Sequence, residues 1–159
     1  MRTIVVVALI AGALGGCAGA SATRTSANTM LIDAGAAPAC GSQGAARVAA
    51  KTAAIETIRA GYDRYIIAGG AAQNNVSVSQ MPGSYQTAGT MNYGRGYGSY
   101  NATTTYVPGP TIVAGSHDRQ LSVVMFREGE PGAEQAIDAK SALGPEWQDL
   151  VKSGVRTCL

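Results

Sequence analysis

The sequence predicts an α+β fold, a small antiparallel sheet of three to four strands with two or three helices packed on it, and three observations lead there. A helix-period apolar pattern over residues 42–61 passes through one glycine into a β-branched and aromatic run over 63–69. The run Arg-Gln-Leu-Ser-Val-Val-Met-Phe-Arg-Glu at 119–128 has the strongest strand character of the chain. Two more helical patterns fill the stretch from Glu134 to Gly154.

Composition limits the size of the core. The chain has 159 residues, 46% apolar and 14% charged, with a formal net charge of +2. Of the apolar residues 28 are alanine, and Val, Ile, Leu and Phe together number only 29, about 18% of the chain and below the roughly 20% that accompanies a robust core. A small core with loose margins is therefore expected. The near-neutral charge does not point to nucleic acid or another polyanion as partner.

The N-terminus reads as an address. Arg2 is followed by an uncharged apolar stretch from Ile4 to Leu14 and then by Leu14-Gly15-Gly16-Cys17, the layout of a secretory signal. Leu-Gly-Gly-Cys resembles a lipobox, which implies cleavage after residue 16 and acylation of Cys17. One acyl chain anchors marginally and two or more hold stably, at about 0.8 kcal/mol per buried methylene. By the lipoprotein sorting pattern, Ala18, not Asp, points to the bacterial outer membrane. Residues 17–39, rich in small and polar side chains, are expected to be a flexible tether with a root-mean-square span of about 25 Å. Met30-Leu31-Ile32 is its one apolar cluster, able to dock as a short strand or stay loose. Residues 40–159 are then expected to form a single α+β domain.

Within that domain, Ser42 is a candidate N-cap. Val48, Ile55, Ile58 and Tyr62 fall on one helical stripe, and Gly61 suits the left-handed position after the helix. Asp63 to Gly69 is the following strand, with Tyr65 and Ile67 on one face and Ile66 and Ala68 on the other. Residues 70–115 read as a glycine-weakened hairpin. Val76 to Ser79 alternates, Tyr93-Gly94-Arg95-Gly96-Tyr97-Gly98 puts its large side chains on one face, the register shifts at Tyr100, and Thr103 to Val107 resumes before Pro108-Gly109-Pro110. The 119–128 strand is expected to be central and covered on both faces. Glu134 to Leu143 reads as a short helix, and Pro145 opens another turn that places Trp147, Leu150 and Val151 together.

Two cysteines remain beyond Cys17. Cys40 and Cys158 are an even pair in a chain expected to be exported, and an oxidising periplasm favours joining them, with two separate thiols as the alternative. Closing so long a loop restricts the unfolded chain by nominally about 4.7 kcal/mol.

No combination of residues announces catalysis. His117 stands beside Ser116 and Asp118, but neighbours on an extended chain point to opposite faces and are poorly placed to form a relay, so an enzyme around His117 and Asp118 is only a third reading. Two cysteines without a CxxC spacing plus that single histidine make no tetrahedral metal site, and no cofactor motif is present. The Gly94 to Gly98 run lacks a phosphate-loop ending, and one arginine is too few for an RNA-binding tract. The candidate ligand-binding residues are Tyr93, Arg95, Tyr97 and Tyr100, since rigid aromatic faces with hydroxyl tips stack on sugars or dock a protein chain at low entropic cost.

The lipobox, the alanine-rich helix entering Gly61-Tyr62-Asp63-Arg64-Tyr65, the glycine-rich middle, Val123-Val124-Met125-Phe126, and the closing Asp138-Ala139-Lys140 with Leu143-Gly144-Pro145 resemble a family of small proteobacterial envelope lipoproteins without assigned activity. The resemblance implies localisation and fold and supplies no active-site residues. The expectation is a non-enzymatic, lipid-anchored periplasmic module that makes protein contacts. The alternative is a module that binds glycan or cell-wall material through the Tyr/Gly hairpin.

Overall fold

The computed structural model describes residues 17–158, so the expected signal segment lies outside the described residues. The chain divides into two units, one built from residues up to Asn75 and from Ser116 onward, the other from Val76–Gly115. Residues 40–159, expected as a single domain, contribute to both units, and residues 17–39 belong to the first. In the first unit, strands β1 (Ala18–Arg24) and β2 (Thr29–Ala36) precede helix α1 (Gly41–Arg59) and strand β3 (Arg64–Asn74). The second unit holds β4 (Ser77–Gln80), β5 (Ser84–Gly94), β6 (Tyr97–Val107) and β7 (Thr111–Ala114). The first unit then resumes with β8 (His117–Phe126), β9 (Ile137–Asp138), α2 (Ala139–Leu143) and α3 (Trp147–Ser153).

The fold is α+β, with a fully antiparallel five-stranded sheet in the order β1-β2-β8-β3-β9. The extra strands come from the stretch expected to be a tether. β2 is an interior strand whose Met30, Ile32, Ala34 and Ala36 are buried, whereas Asp33 is exposed. This is period-two alternation, written largely in alanine and therefore weak as a strand signal. β1 has little to bury and is held by its ladder to β2, Ala18 opposite Ala36 through Arg24 opposite Met30.

α1 covers the sheet. It buries Gly44, Ala45, Val48, Ala49, Ala53, Ala54 and Ile55. Met30, Ile32, Val123, Met125, Tyr65 and Ala139 complete the larger core cluster, with Ile58, Tyr62, Leu121 and Leu143 packed against it. The helix has no side-chain cap, so the Ser42 cap is not made. Its end is as expected, with Gly61 at φ +80°. β8 lies between β2 and β3, central as expected, but its far face is not covered: the helices gather on the Val123 and Met125 side, and Gln120 is exposed opposite Asp33. β3 runs five residues beyond the expected Gly69, after a bulge between Ile67 and Gly69.

The C-terminal region differs from the expected helix over 134–143. A 3₁₀ turn at Ala133–Gln135 gives way to β9, which pairs with Arg64 and Tyr65, and only then does α2 begin. The interruption has a local cause: Asp138 caps α2, its Oδ1 accepting the Ser141 N–H at 2.6 Å. That backbone bond first, and the Ser141 hydroxyl second, hold the Asp138 carboxyl below its ordinary value of 3.8. Asp63 and Arg64 do not pair with each other. Arg64 Nε donates to Glu128 at 2.8 Å, and Asp63 accepts the Glu128 N–H at 3.1 Å.

Cys40 and Cys158 form a disulfide with Cα atoms 5.9 Å apart, across 118 residues. It is packed tightly under the first turns of α1. A Cβ on Gly44 would stand 2.7 Å from Cys40 Cβ and 3.0 Å from Cys158 Cβ.

Three outcomes are expected. Gly44→Ala should cost about 1–3 kcal/mol by overpacking, and replacing both Cys40 and Cys158 by serine about 2–5 kcal/mol, each read from denaturant midpoints. Because the Asp138 carboxyl is held low, its stabilisation is complete above about pH 4 and is lost as pH falls through the depressed value. Asp138→Asn keeps a good cap and should flatten that part of the acid limb in denaturant midpoints taken at a series of pH values.

Candidate functional site

Cys17 is exposed, and no slack separates it from the fold. Its backbone forms an antiparallel bridge with Thr157, its carbonyl accepts the Ala37 N–H at 3.1 Å, and the Ala18 N–H donates to the Arg156 carbonyl at 3.3 Å. The thiol carrier is therefore built into the folded unit beside the Cys40–Cys158 link, where the sequence suggested a 25 Å leash.

The same end of the sheet is where the chain leaves the first unit and returns to it. Ala18 faces Ala36, Ala36 faces His117, and His117 faces Asn74, one row across four strands. At about 4.8 Å per strand that row is about 14 Å wide. Just beyond it, Asn75 and Ser116 are clasped. The Asn75 N–H donates to the Ser116 carbonyl at 2.9 Å, and Asp118 Oδ2 accepts from Asn75 Nδ2 at 2.6 Å and from the Ser116 hydroxyl at 3.1 Å. This use of Asp118 is not legible in the sequence, because Asn75 lies 43 residues away. His117 and Asp118 alternate on β8 and so face opposite sides of the sheet, as the extended chain required.

On the uncovered face, Asp33, Gly35, Ala71, Gln73, Asp118 and Gln120 line a depression of about 310 Å³. Gln120 Nε2 donates to Asp33 Oδ1 at 2.8 Å, so one carboxylate is tied to an amide and the other to the clasp. The depression holds neither histidine nor thiol. Among the described residues no group of three or more His, Cys, Asp or Glu side chains could hold a metal ion.

The second unit carries the candidate ligand residues. β4 pairs with β7, and β5 pairs with β6 in an unbroken register from Ser84 opposite Val107 to Gly94 opposite Tyr97. The register shift expected at Tyr100 does not occur, since the chain has already turned at Arg95-Gly96, where Gly96 takes φ +96°. This turn redistributes the tyrosines. Tyr93 stands opposite Gly98 and Met91 opposite Tyr100, so Tyr85, Met91, Tyr93, Tyr100 and Tyr106 share one face while Tyr97 lies on the other and Arg95 sits at the tip. The grouping of Tyr93, Arg95, Tyr97 and Tyr100 as one binding surface is thereby corrected: strict alternation puts large residues on one face only while the chain stays extended.

The aromatic face is ordered by its own contacts. Tyr85 and Tyr106 rings meet at 5.1 Å between centroids, tilted 54°. Thr87 and Thr104 hydroxyls bond to each other at 2.9 Å, and the Tyr93 hydroxyl donates to Met91 Sδ at 2.6 Å. The Tyr100 ring lies over Gly89, where a Cβ would strike it. Every residue of β5 and β6 is nevertheless exposed, Tyr93 at 83%. The opposite face carries Gln86, Thr90, Asn92, Ser99, Asn101, Thr103 and Thr105. Of the 22 charged side chains in the chain, Arg95 alone falls within residues 76–115.

No protein-family model, curated protein or solved structure matches the chain.

The clasp yields a direct expectation. Asp118→Ala should cost about 1–3 kcal/mol and speed amide hydrogen exchange at Asn75 and Ser116, with exchange at Val123 and Met125 changed far less.

Proposed function

We propose that this protein is a non-enzymatic lipoprotein of the bacterial outer membrane, held on the periplasmic face by acylated Cys17 and acting through contacts made by the Val76–Gly115 ribbon. One observation carries the reading: 40 residues with one charge, paired as long β-ribbons, display an aromatic and methionine face to the surroundings with nothing of their own unit to bury it. A fold with a thin alanine core gains no stability from such a face, so its use lies in what it meets.

The lipobox resemblance supports the anchor, the exposure of Cys17 is compatible with acylation, and the Cys40–Cys158 disulfide is compatible with an oxidising compartment. The absence of slack at Cys17 has a mechanical consequence: acyl chains there hold the sheet end carrying Ala18, His117 and Asn74 close to the bilayer surface. Protein contact is favoured over glycan binding because the face shared by Tyr85, Met91, Tyr93, Tyr100 and Tyr106 carries no amide or charged side chain between its rings to bond a sugar's hydroxyls.

Cells fed labelled palmitate should incorporate it into the wild-type chain and not into Cys17→Ser, and the wild type should fractionate with the outer membrane. An unlabelled wild-type chain recovered from the cytosol overturns the anchor.

A further inference from the structure

We infer that the β5–β6 hairpin is a bilayer-spanning element, and that several copies of the chain pair their hairpins edge to edge into one closed transmembrane β-barrel. The inference rests on the envelope reading for its compartment and on the ribbon itself for everything else.

The first argument is length. Each strand has 11 residues, about 36 Å at 3.3 Å per residue, and at a tilt of about 40° this rises about 28 Å, close to the hydrocarbon thickness that 9–11 residue strands cross. The second is the distribution of side chains. On one face the Tyr85/Tyr106 pair marks the base and Tyr93 and Tyr100 the far end, with Thr87/Thr104, Gly89/Ala102 and Met91 around and between them. Tyr85 and Tyr93 are eight residues apart, about 26 Å along the strand and about 20 Å in height at the same tilt, which sets the two tyrosine rows just inside the edges of an apolar band about 25 Å tall. Inside that band the two threonine hydroxyls share one hydrogen bond, one donating to the other. The other face, with Gln86, Thr90, Asn92, Ser99 and Asn101, has the polarity of a barrel lumen.

The third argument is charge. Neither strand carries a charged residue, and Arg95 occupies the turn, where a spanning hairpin re-emerges into water. The fourth is the edges. A strand left at a sheet edge in water is guarded by lysine, proline or a bulge, and β5 and β6 have none of these. In hydrocarbon, unpaired backbone groups are intolerable and only a closed barrel satisfies them. β5 of one copy and β6 of the next are equal in length and equally uncharged, so their pairing meets no like-charge repulsion. Two strands per chain and a minimum of eight strands require at least four copies.

The test uses the full acylated chain reconstituted into phosphatidylethanolamine and phosphatidylglycerol vesicles. Single cysteines at Thr87→Cys and Thr90→Cys, on opposite faces, carry an environment-sensitive fluorophore. A blue shift at 87 and not at 90, chymotrypsin protection of the ribbon tyrosines, and crosslinked species of four or more copies are expected. Met91→Arg should lower the inserted fraction at least tenfold, while Asn101→Arg, on the lumen face, should change it less than twofold. Chymotrypsin cleavage at vesicle-free rates, equal fluorescence at the two positions, or the same oligomer formed in water without lipid each overturns the barrel, the last in favour of strand pairing in solution. A chain that takes up palmitate yet leaves its ribbon open to protease refutes the barrel and leaves the anchor standing; protected ribbons on an unacylated chain do the reverse.

Discussion

The alanine face of α1 pressed on β2, β8 and β3 is the contact on which the first unit depends. Gly44, Ala45, Ala49, Ala53 and Ala54 let the helix approach closely, and Met30, Ile32, Val123 and Met125 fill the space below. Close approach preserves packing density but yields little buried area per residue: a buried methyl is worth about 0.8 kcal/mol, against about 1.5–3 kcal/mol for a full leucine or valine side chain. The Cys40–Cys158 link, nominally about 4.7 kcal/mol, therefore weighs as much as several of these alanines. Cys158 packs on Ala34, Val48 and Ala49, so the cross-link extends the core as well as restraining the chain.

The same cross-link organises one end of the molecule. It stands beside Cys17, whose backbone is tied to Thr157 and Ala37, and the row from Ala18 to Asn74 carries that end across the sheet to the Asp118 clasp. Cys17 and the point where residues 76–115 leave the sheet are thus joined by a row of paired strands rather than by loop.

The two units obey opposite chemical rules. The first follows the ordinary pattern of small and apolar side chains inside, with 20 of the 21 charged side chains among the described residues in its share of the chain. The second buries nothing, keeps a regular ladder over 11 residue pairs and excludes charge from both strands. An isolated two-stranded ribbon in water is marginal. Its sequence makes physical sense for a ribbon that finds further strands and a less polar surrounding.

The strong periodic elements were legible in the residues alone. The helix ending at Gly61, the strand that follows it, the central strand around Val123 and the pairing of Cys40 with Cys158 were read from patterns a few residues long or from the parity of two sulfurs. β1 and β2 were not, because alanine and glycine carry little strand signal and β2 acquires its inward face only when α1 lies on it. The candidate surface was half legible: the tyrosines stood out, but which of them share a face was decided by a turn at Arg95-Gly96 that reverses the chain and sends Tyr97 to the side opposite Tyr93. Local chemistry fixes what a segment prefers within a few residues. Pairing across 43 residues, as between Asn75 and Asp118, or 118, as between the bonded cysteines, is settled only when the whole chain closes and each polar group must find a partner.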